Sequence, residues 1–255
     1  MMHDYPLTKA NRIKLARAFC QVPRVDLSIV CVVEGQMGAA FVDNVEQPTV
    51  FKIQSGPFVY LAGAVAGPGV TAALETITSE VLLMPSAPGW LEAIQQRYGE
   101  QVVPFDRYSF SADRLSLEHL ETLCHASSKY AVRRMDAKFA ASLWGQEHFV
   151  DLAYFDSPED FEQRGLGFYA AVDEMIVGAA YSQLVCSRGI EVSLYVMPKH
   201  RERGLGTLLS SHLVKVCLEN GQEAHWDAAN LESCRLARKL GYLPDGTYQA
   251  HYLNA

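Results

Sequence analysis

Residues 191–230, EVSLYVMPKHRERGLGTLLSSHLVKVCLENGQEAHWDAAN, decide the fold of this chain. The run reads as a strand, a basic glycine turn, a helix, a second strand and an asparagine. The strand covers Gly189–Val196 and stops at Pro198. The helix covers Leu205–Glu219, with Leu205, Leu208, Leu209, His212, Leu213 and Val216 on one face and Asn220-Gly221 ending it. Glu223–Asp227 is strand-like. A strand entering a glycine turn and then a helix builds an anion seat from backbone. The free N–H groups of the first turn point outward, and the helix dipole adds positive potential. Gly204 and Gly206 lack a Cβ, so a phosphate can come close to the main chain. Lys199-His-Arg201-Glu-Arg203 carries a net +2 in a chain of net charge −7. A charge run is more often a solvated turn; the glycines and the flanking elements favour the anion seat.

Working outward, Ser157-Pro158-Glu159-Asp160 starts a helix, with a cap, a proline and acids in the first turn. Phe168–Val172 and Ile176–Val185 are strands around the turn Asp173-Glu174. Leu231–Leu240 is a helix closed by Gly241, and Tyr242–Leu253 supplies the last strand or loop. The first half has a related order. A helix over 6–20, with Thr8 as cap and Ile13, Ala16 and Phe19 as its apolar stripe, precedes strand-like runs at Val25–Glu34, Gly38–Asp43, Thr49–Ile53 and Phe58–Ala66. Gly67-Pro-Gly69 leads into a helix over Thr71–Thr78. Val81–Met84 is strand-like, Pro88–Tyr98 helical and Val102–Phe110 a strand. Leu115–Cys124 and Asp136–Trp144 suggest two helices in a connector. The shared order suggests a degenerate duplication, with halves at 1–125 and 126–255.

With 255 residues, 49% of them apolar and 20% charged, the chain is expected to fold into a packed α/β (α+β) protein. The acidic balance argues against a dedicated nucleic-acid binder. No run approaches the length of a membrane span, and the N-terminus does not read as a signal peptide. Six scattered cysteines, with no Cys-x-x-Cys pair, suggest free thiols in the cytoplasm. His119, Cys124 and His125 do not make a metal-ligand set, so no metal is expected. The glycines at 63, 67 and 69 have no Arg or Lys beside them and are read as turn formers.

The spacing Arg201-x-x-Gly204-x-Gly206 after a strand ending Leu194-x-Val196-x-Pro198 resembles the acyl-CoA signature of the GCN5-related N-acetyltransferases (GNAT). The resemblance covers about 151–253. Phe161-x-x-Arg164-Gly-Leu-Gly167-Phe168, Cys217-Leu-Glu219, Trp226-Asp-Ala-Ala-Asn230, Ser233 and Leu240-Gly-Tyr242 are similar to a two-part branch whose relatives include a zwittermicin-resistance acetyltransferase. Phe41-Val-Asp43-Asn44 and Tyr60-Leu-Ala-Gly63 extend that likeness into the first half. The resemblance implies a mixed, mostly antiparallel sheet flanked by helices, with a C-terminal acetyl-CoA domain and a degenerate, cofactor-free N-terminal half. It implies that Leu194, Tyr195 and Val196 lie along the pantetheine arm and thioester. The pyrophosphate would sit on Arg201, Glu202, Arg203, Gly204, Leu205, Gly206 and Thr207, with Asn230 and Ser233 also contacting the cofactor.

Catalysis is less determined. The family places a tyrosine seven residues after the asparagine, to protonate the leaving thiolate, and here Ala237 stands there. Tyr242, Tyr248 and Cys234 are the remaining candidates, beside water. An amine acceptor is mostly protonated near pH 7 and needs a base. Glu191 fits by position, sharing a face with Ser193 and Tyr195; the competing reading is a rim carboxylate. Asp227 reads as a structural acid. The expected activity is acetyl transfer from acetyl-CoA to a small primary amine in a ternary complex, by a monomer or homodimer free of membrane and nucleic acid. The rival is a non-catalytic acyl-CoA sensor on the same fold.

Overall fold

The computed structural model describes residues 1–23, 26–126, 129–146 and 148–254. They form two compact units, Met1–Asp106 with Tyr248–Ala255, and Arg107–Thr247.

In the first unit, β1 (His3–Asp4), α1 (Lys9–Phe19), α2 (Leu27–Val33), β2 (Ala39–Val42), β3 (Val50–Ser55), β4 (Phe58–Gly63), α3 (Pro68–Leu74), β5 (Leu82–Leu83) and α4 (Trp90–Tyr98) follow in order. The strands β1 to β4 form an antiparallel meander, and β4 then pairs in parallel with β5. Thr8 caps α1, its Oγ1 accepting from the Asn11 N–H. The apolar stripe differs from the expected one. Leu15 and Phe19 are buried, whereas Ile13 is 62% exposed.

The expected strand at Val25–Glu34 is instead the helix α2, and Val25 lies outside the described residues. A short continuous apolar run fits a buried helix as well as a buried strand. Here Asp26 stands at the N-cap, and Leu27, Ile29, Cys31 and Val32 are all buried. Past β5 the chain stays on β4. The Met84 N–H donates to Val59 O, the Ala87 N–H to Leu61 O, and Ser86 Oγ accepts from the Leu61 N–H. The free edge of β4 is therefore covered by its own chain.

Strand β6 (Val102–Ser111) runs from the first unit into the second. There follow α5 (Leu117–Cys124), β7 (Val132–Arg134), α6 (Ala137–Leu143), α7 (Pro158–Arg164), β8 (Gly167–Val172), β9 (Met175–Cys186), β10 (Gly189–Val196), α8 (Leu205–Glu219), β11 (Glu223–Ala228), α9 (Leu231–Leu240) and β12 (Leu243–Leu253). The end of β12 returns to pair with β5 in the first unit, His251 facing Leu83. In the second unit the sheet order is β7-β8-β9-β10-β11-β6. Every pair is antiparallel except β10 and β11, which run parallel. The sheet is thus mixed and mostly antiparallel. Strands β8 and β9 turn through Asp173 and Glu174, both at positive φ (49° and 65°), the conformation of a tight two-residue hairpin. Helix α7 starts as its sequence requires, with Ser157 Oγ accepting from the Asp160 N–H and Pro158 at the first position. Helices α5, α8 and α9 pack against one another, and α8 covers β8 to β11. Helix α9 ends in a Schellman motif on Gly241 (φ 105°), with the Gly241 N–H on Arg238 O and the Tyr242 N–H on Ala237 O.

Candidate active site

The site is built where β10 and β11 part. Their ladder holds only Gly189 to Glu223, Ile190 to Ala224 and Glu191 to His225. Beyond it, β11 turns to β6, with Trp226, Asp227 and Ala228 facing Phe110, Ser109 and Tyr108. Strand β10 keeps β9 alone, from Val192–Ser182 to Val196–Gly178. Along an antiparallel pair, every second residue turns its N–H and C=O away from the partner. The stretch Val192–Val196 therefore offers amide groups to a gap about 16 Å long. The register slips at the same place: Glu191 faces Leu184 and Val192 faces Ser182, leaving Gln183 as the extra residue on β9.

The glycine turn closes one end of this gap. Pro198–His200 is a 3-10 turn, Glu202 and Gly204 have φ of 57° and 79°, and α8 begins at Leu205. The first bond of that end of the helix runs from the Leu208 N–H to Gly204 O, so the amides of Leu205, Gly206 and Thr207 precede it. The Arg201 N–H is used internally, on Pro198 O at 3.3 Å. Its side chain folds back, with Nε donating to Val196 O at 3.0 Å. A Cβ on Gly204 would meet nothing within 4 Å. One on Gly206 would stand 3.6 Å from Leu194 and Leu236 and 3.8 Å from Val196. Gly206, Leu194 and Val196 thus share one side of the sheet, with Leu236 of α9 opposite. Leu205 is buried, so only its backbone faces the turn.

Asn230 caps α9, its Oδ1 accepting from the Ser233 N–H at 2.9 Å. Ser233 Oγ accepts from Trp226 Nε1 at 3.1 Å, and the Trp226 ring lies 5.5 Å from that of Tyr242. Asn230 and Ser233 are thereby fixed where β11 gives way to α9.

On the opposite face of the sheet lie Glu191, Ser193 and Tyr195. Tyr195 stacks on Phe149 at 4.4 Å. The Tyr181 hydroxyl accepts from the Asp151 N–H and hydrogen-bonds Ser193; burial pushes it above the usual tyrosine value. Glu191 is not a rim carboxylate. It is 6% exposed, and its Oε2 lies 2.6 Å from Nδ1 of His225, which is 7% exposed. One row further, Arg107 Nε donates to Asp227 Oδ2 at 2.8 Å and Nη2 to Asp227 O, both side chains buried. This bond ties β6 to β11 and gives Asp227 the structural surroundings its sequence context suggested. Neither His225 nor Arg107 was singled out in the sequence.

The tyrosine and cysteine candidates for the proton donor are placed differently. Tyr242 is 2% exposed, and its hydroxyl donates to Ala224 O at 2.7 Å. Burial holds it well above the ordinary tyrosine value. That is the setting of a packing residue, because the phenol is spent on a strand carbonyl within the core. Cys234 is buried in α9 and its thiol is raised by desolvation. Tyr248 belongs to the first unit, near the buried Tyr60 hydroxyl. Ala237 is fully buried. Among the described residues no group of three or more His, Cys, Asp or Glu side chains could hold a metal ion, and no helix is long and apolar enough to cross a membrane.

A mixed sheet that opens between two parallel strands, ahead of a glycine-capped helix, is the arrangement of a GNAT-type fold. The family model for GNAT acetyltransferases matches residues 22–251, and the chain belongs to that family. It is similar to a GCN5-related N-acetyltransferase-like protein from Streptococcus suis 89/1591, with TM-score 0.83 and 28% identity over 95% of this chain and 98% of that one. A tandem GNAT protein from the clavulanic acid biosynthesis pathway shares the fold at TM-score 0.53 and 12% identity, over 98% of this chain and 97% of that one. Among curated proteins, an uncharacterized N-acetyltransferase of Bacillus subtilis (strain 168), YdfB, is 28% identical over 101 residues. That match spans 39% of either chain.

Proposed function

We propose that this protein is an N-acetyltransferase that moves an acetyl group from acetyl-CoA to the primary amine of a small molecule, by direct attack in a ternary complex. The observation that carries this reading is the parting of β10 from β11 after Glu191–His225, directly ahead of the bare N-terminus of α8. In this reading the amides of Glu202 to Thr207 seat the pyrophosphate, and the Arg201 and Arg203 side chains supply countercharge. The edge of β10 that β11 leaves open along Leu194, Tyr195 and Val196 holds the pantetheine arm, and an N–H near Val196 polarises the thioester carbonyl. Asn230 and Ser233 line the other side of the gap. Glu191 takes the proton of the acceptor ammonium. With Tyr242 and Cys234 packed in the core, water protonates the departing thiolate, which is stable enough to leave without a strong acid.

The first half, 1–125, is read as a cofactor-free relative of the second, 126–255. What supports this is strand order. Antiparallel β1–β4 followed by parallel β5 repeats the pattern of β7–β10 followed by β11. The edge of β4 that would correspond to the gap is covered by Met84–Ala87, which leaves no place for a pantetheine arm there. The likeness to the two-part branch with a zwittermicin-resistance relative makes amino alcohols the first acceptors to try. Six free cysteines suit work in the cytoplasm, as a monomer or homodimer.

The second reading, an acyl-CoA sensor without turnover, draws on Ala237. Its side chain is fully buried, where a phenol would have to displace the core. Release of free thiol from acetyl-CoA with a panel of amino alcohols, polyamines and aryl amines separates the two. Amine-dependent release supports the enzyme. Tight acetyl-CoA binding with no release at any pH from 6 to about 9 supports the sensor.

A further inference from the structure

We propose that His225 is a positioning residue for acetyl transfer: through Nδ1 it holds Glu191 in the orientation and the ionised state in which Glu191 deprotonates the acceptor amine. The inference rests on the reading of Glu191 as the base and adds a second residue to it.

Several observations converge on this pair. It occupies the last shared rung of β10 and β11, Glu191 facing His225, so it sits at the apex from which the gap opens. The contact is short, 2.6 Å between Nδ1 and Oε2, as expected of a charge-assisted bond. Both side chains are only 8% exposed. A buried carboxylate keeps its charge where a donor stabilises it; with Nδ1 protonated, the imidazole supplies such a donor to Oε2. The register with β9 slips at this same place, between Glu191 and Val192, with Gln183 as the extra residue on β9. The Arg107–Asp227 pair one row away ties β11 to β6 on its other edge, whereas Glu191–His225 joins β11 to β10.

Other charged and titratable groups surround the pair. Asp227, salt-bridged to Arg107, follows His225 by two residues on β11, and Glu223 precedes it by two. Tyr195 and the Ser193-bonded Tyr181 flank Glu191 along β10 and β9. Leu184 of β9 faces Glu191 directly. The Tyr242 hydroxyl, raised above the usual tyrosine value first by burial, lies within electrostatic reach of Glu191.

In the step itself, the acceptor ammonium gives one proton to Glu191 while the His225 N–H stays on Oε2. The freed lone pair forms the C–N bond to the acetyl carbonyl carbon as the C–S bond breaks. The thiolate takes one proton and the amide nitrogen loses its second, so one proton is released overall.

The test is the pH profile of thiol release from acetyl-CoA, with the best amine of the panel, for the wild type, His225→Leu, His225→Asn and Glu191→Gln. Without the donor, the acidic limb of kcat/KM should move up by about one pH unit and kcat at pH 7 should fall about tenfold or more. KM for acetyl-CoA should stay within about twofold. Asn places an amide N–H near the position of Nδ1 and should restore most of both. Glu191→Gln should lose about a hundredfold in kcat and flatten the limb. If His225→Leu fails to fold, His225→Gln replaces it; its amide lies nearer the Nε2 position and misses Oε2, so the same limb shift is expected. A folded His225 variant with lowered melting temperature but an unmoved limb and kcat overturns this inference and leaves the acetyltransferase reading standing. A wild type that binds acetyl-CoA but releases no thiol with any amine overturns both.

Discussion

Gly204 and Gly206 stand two residues apart and should respond to alanine with opposite signs. Gly204 is the left-handed residue before α8, at φ 79°. An alanine there meets no neighbour but must hold a conformation that costs roughly 1–2 kcal/mol for a residue with a Cβ. Gly206 lies inside the first turn of the helix, and its added methyl would reach Leu194, Leu236 and Val196 at ordinary contact distance, 3.6–3.8 Å. Replacing glycine by alanine within a helix gains roughly 0.8–1.0 kcal/mol, and nothing in the surroundings offsets it. For domains of this size, each kcal/mol moves Tm by about 2–4 °C. Gly206→Ala is therefore expected to melt about 2–4 °C higher than the wild type and Gly204→Ala about 2–8 °C lower, measured by calorimetry without ligand. Affinity for acetyl-CoA should separate from stability. The methyl at 206 points into the gap between β10 and α9, so the more stable variant should bind acetyl-CoA about tenfold more weakly, near 1.4 kcal/mol. A Gly206→Ala protein that is destabilised as much as Gly204→Ala would refute the helix start at Leu205. One that is stabilised and binds with unchanged affinity would refute the placing of the ligand in the gap.

Other substitutions follow from the same geometry. Arg107→Leu leaves Asp227 buried without its guanidinium partner and should cost about 3–5 kcal/mol in chemical denaturation; a loss under 1 kcal/mol would contradict the structural role of that pair. Tyr242→Phe should lose about 1–2 kcal/mol by stranding Ala224 O while leaving kcat within about twofold; a large fall in kcat at unchanged KM would restore Tyr242 as proton donor. Asp160 is held below the ordinary aspartate range first by the Arg164 hydrogen bond, against a desolvation that raises it. A lowered folded value stabilises above the unfolded value of about 3.9 and is lost as pH falls through the folded one. Asp160→Asn should then be less stable than the wild type at pH 7, and the two should converge in melts as pH falls below the unfolded value and through the lowered folded one.

The elements that were legible in the sequence carry their own boundaries. Helix α8 lies at Leu205–Glu219 because a glycine precedes it and Asn220-Gly221 follows. The caps Thr8 and Ser157 act in the structure as their residue types require; Asn230 was read for the cofactor, and that it caps α9 is seen in the structure. Helix α2 was not legible, since the run Leu27–Val33 is apolar but for Ser28 and has no period to separate helix from strand. Strands β1 and β7, two and three residues long, are too short for any pattern. The site divides in the same way. The glycine turn and Asn230 are local signals. The parting of β10 from β11 shows only in the ladder itself, which ends at Glu191 and His225 while β6 pairs the far end of β11 on its other edge, across more than a hundred residues. His225 and Arg107 escaped notice for the same reason, because an alternating polar residue in a strand reads as solvent-facing until its partner on another strand is known.

The central claim is that acetyl-CoA lies in the gap between β10 and β11 with its pyrophosphate on the start of α8. Titration calorimetry of acetyl-CoA into the wild type and into Gly206→Trp tests it most directly. Saturable binding is expected to the wild type and none to a variant whose indole fills the space among Leu194, Leu236 and Val196. Unchanged affinity in a folded Gly206→Trp protein would contradict it.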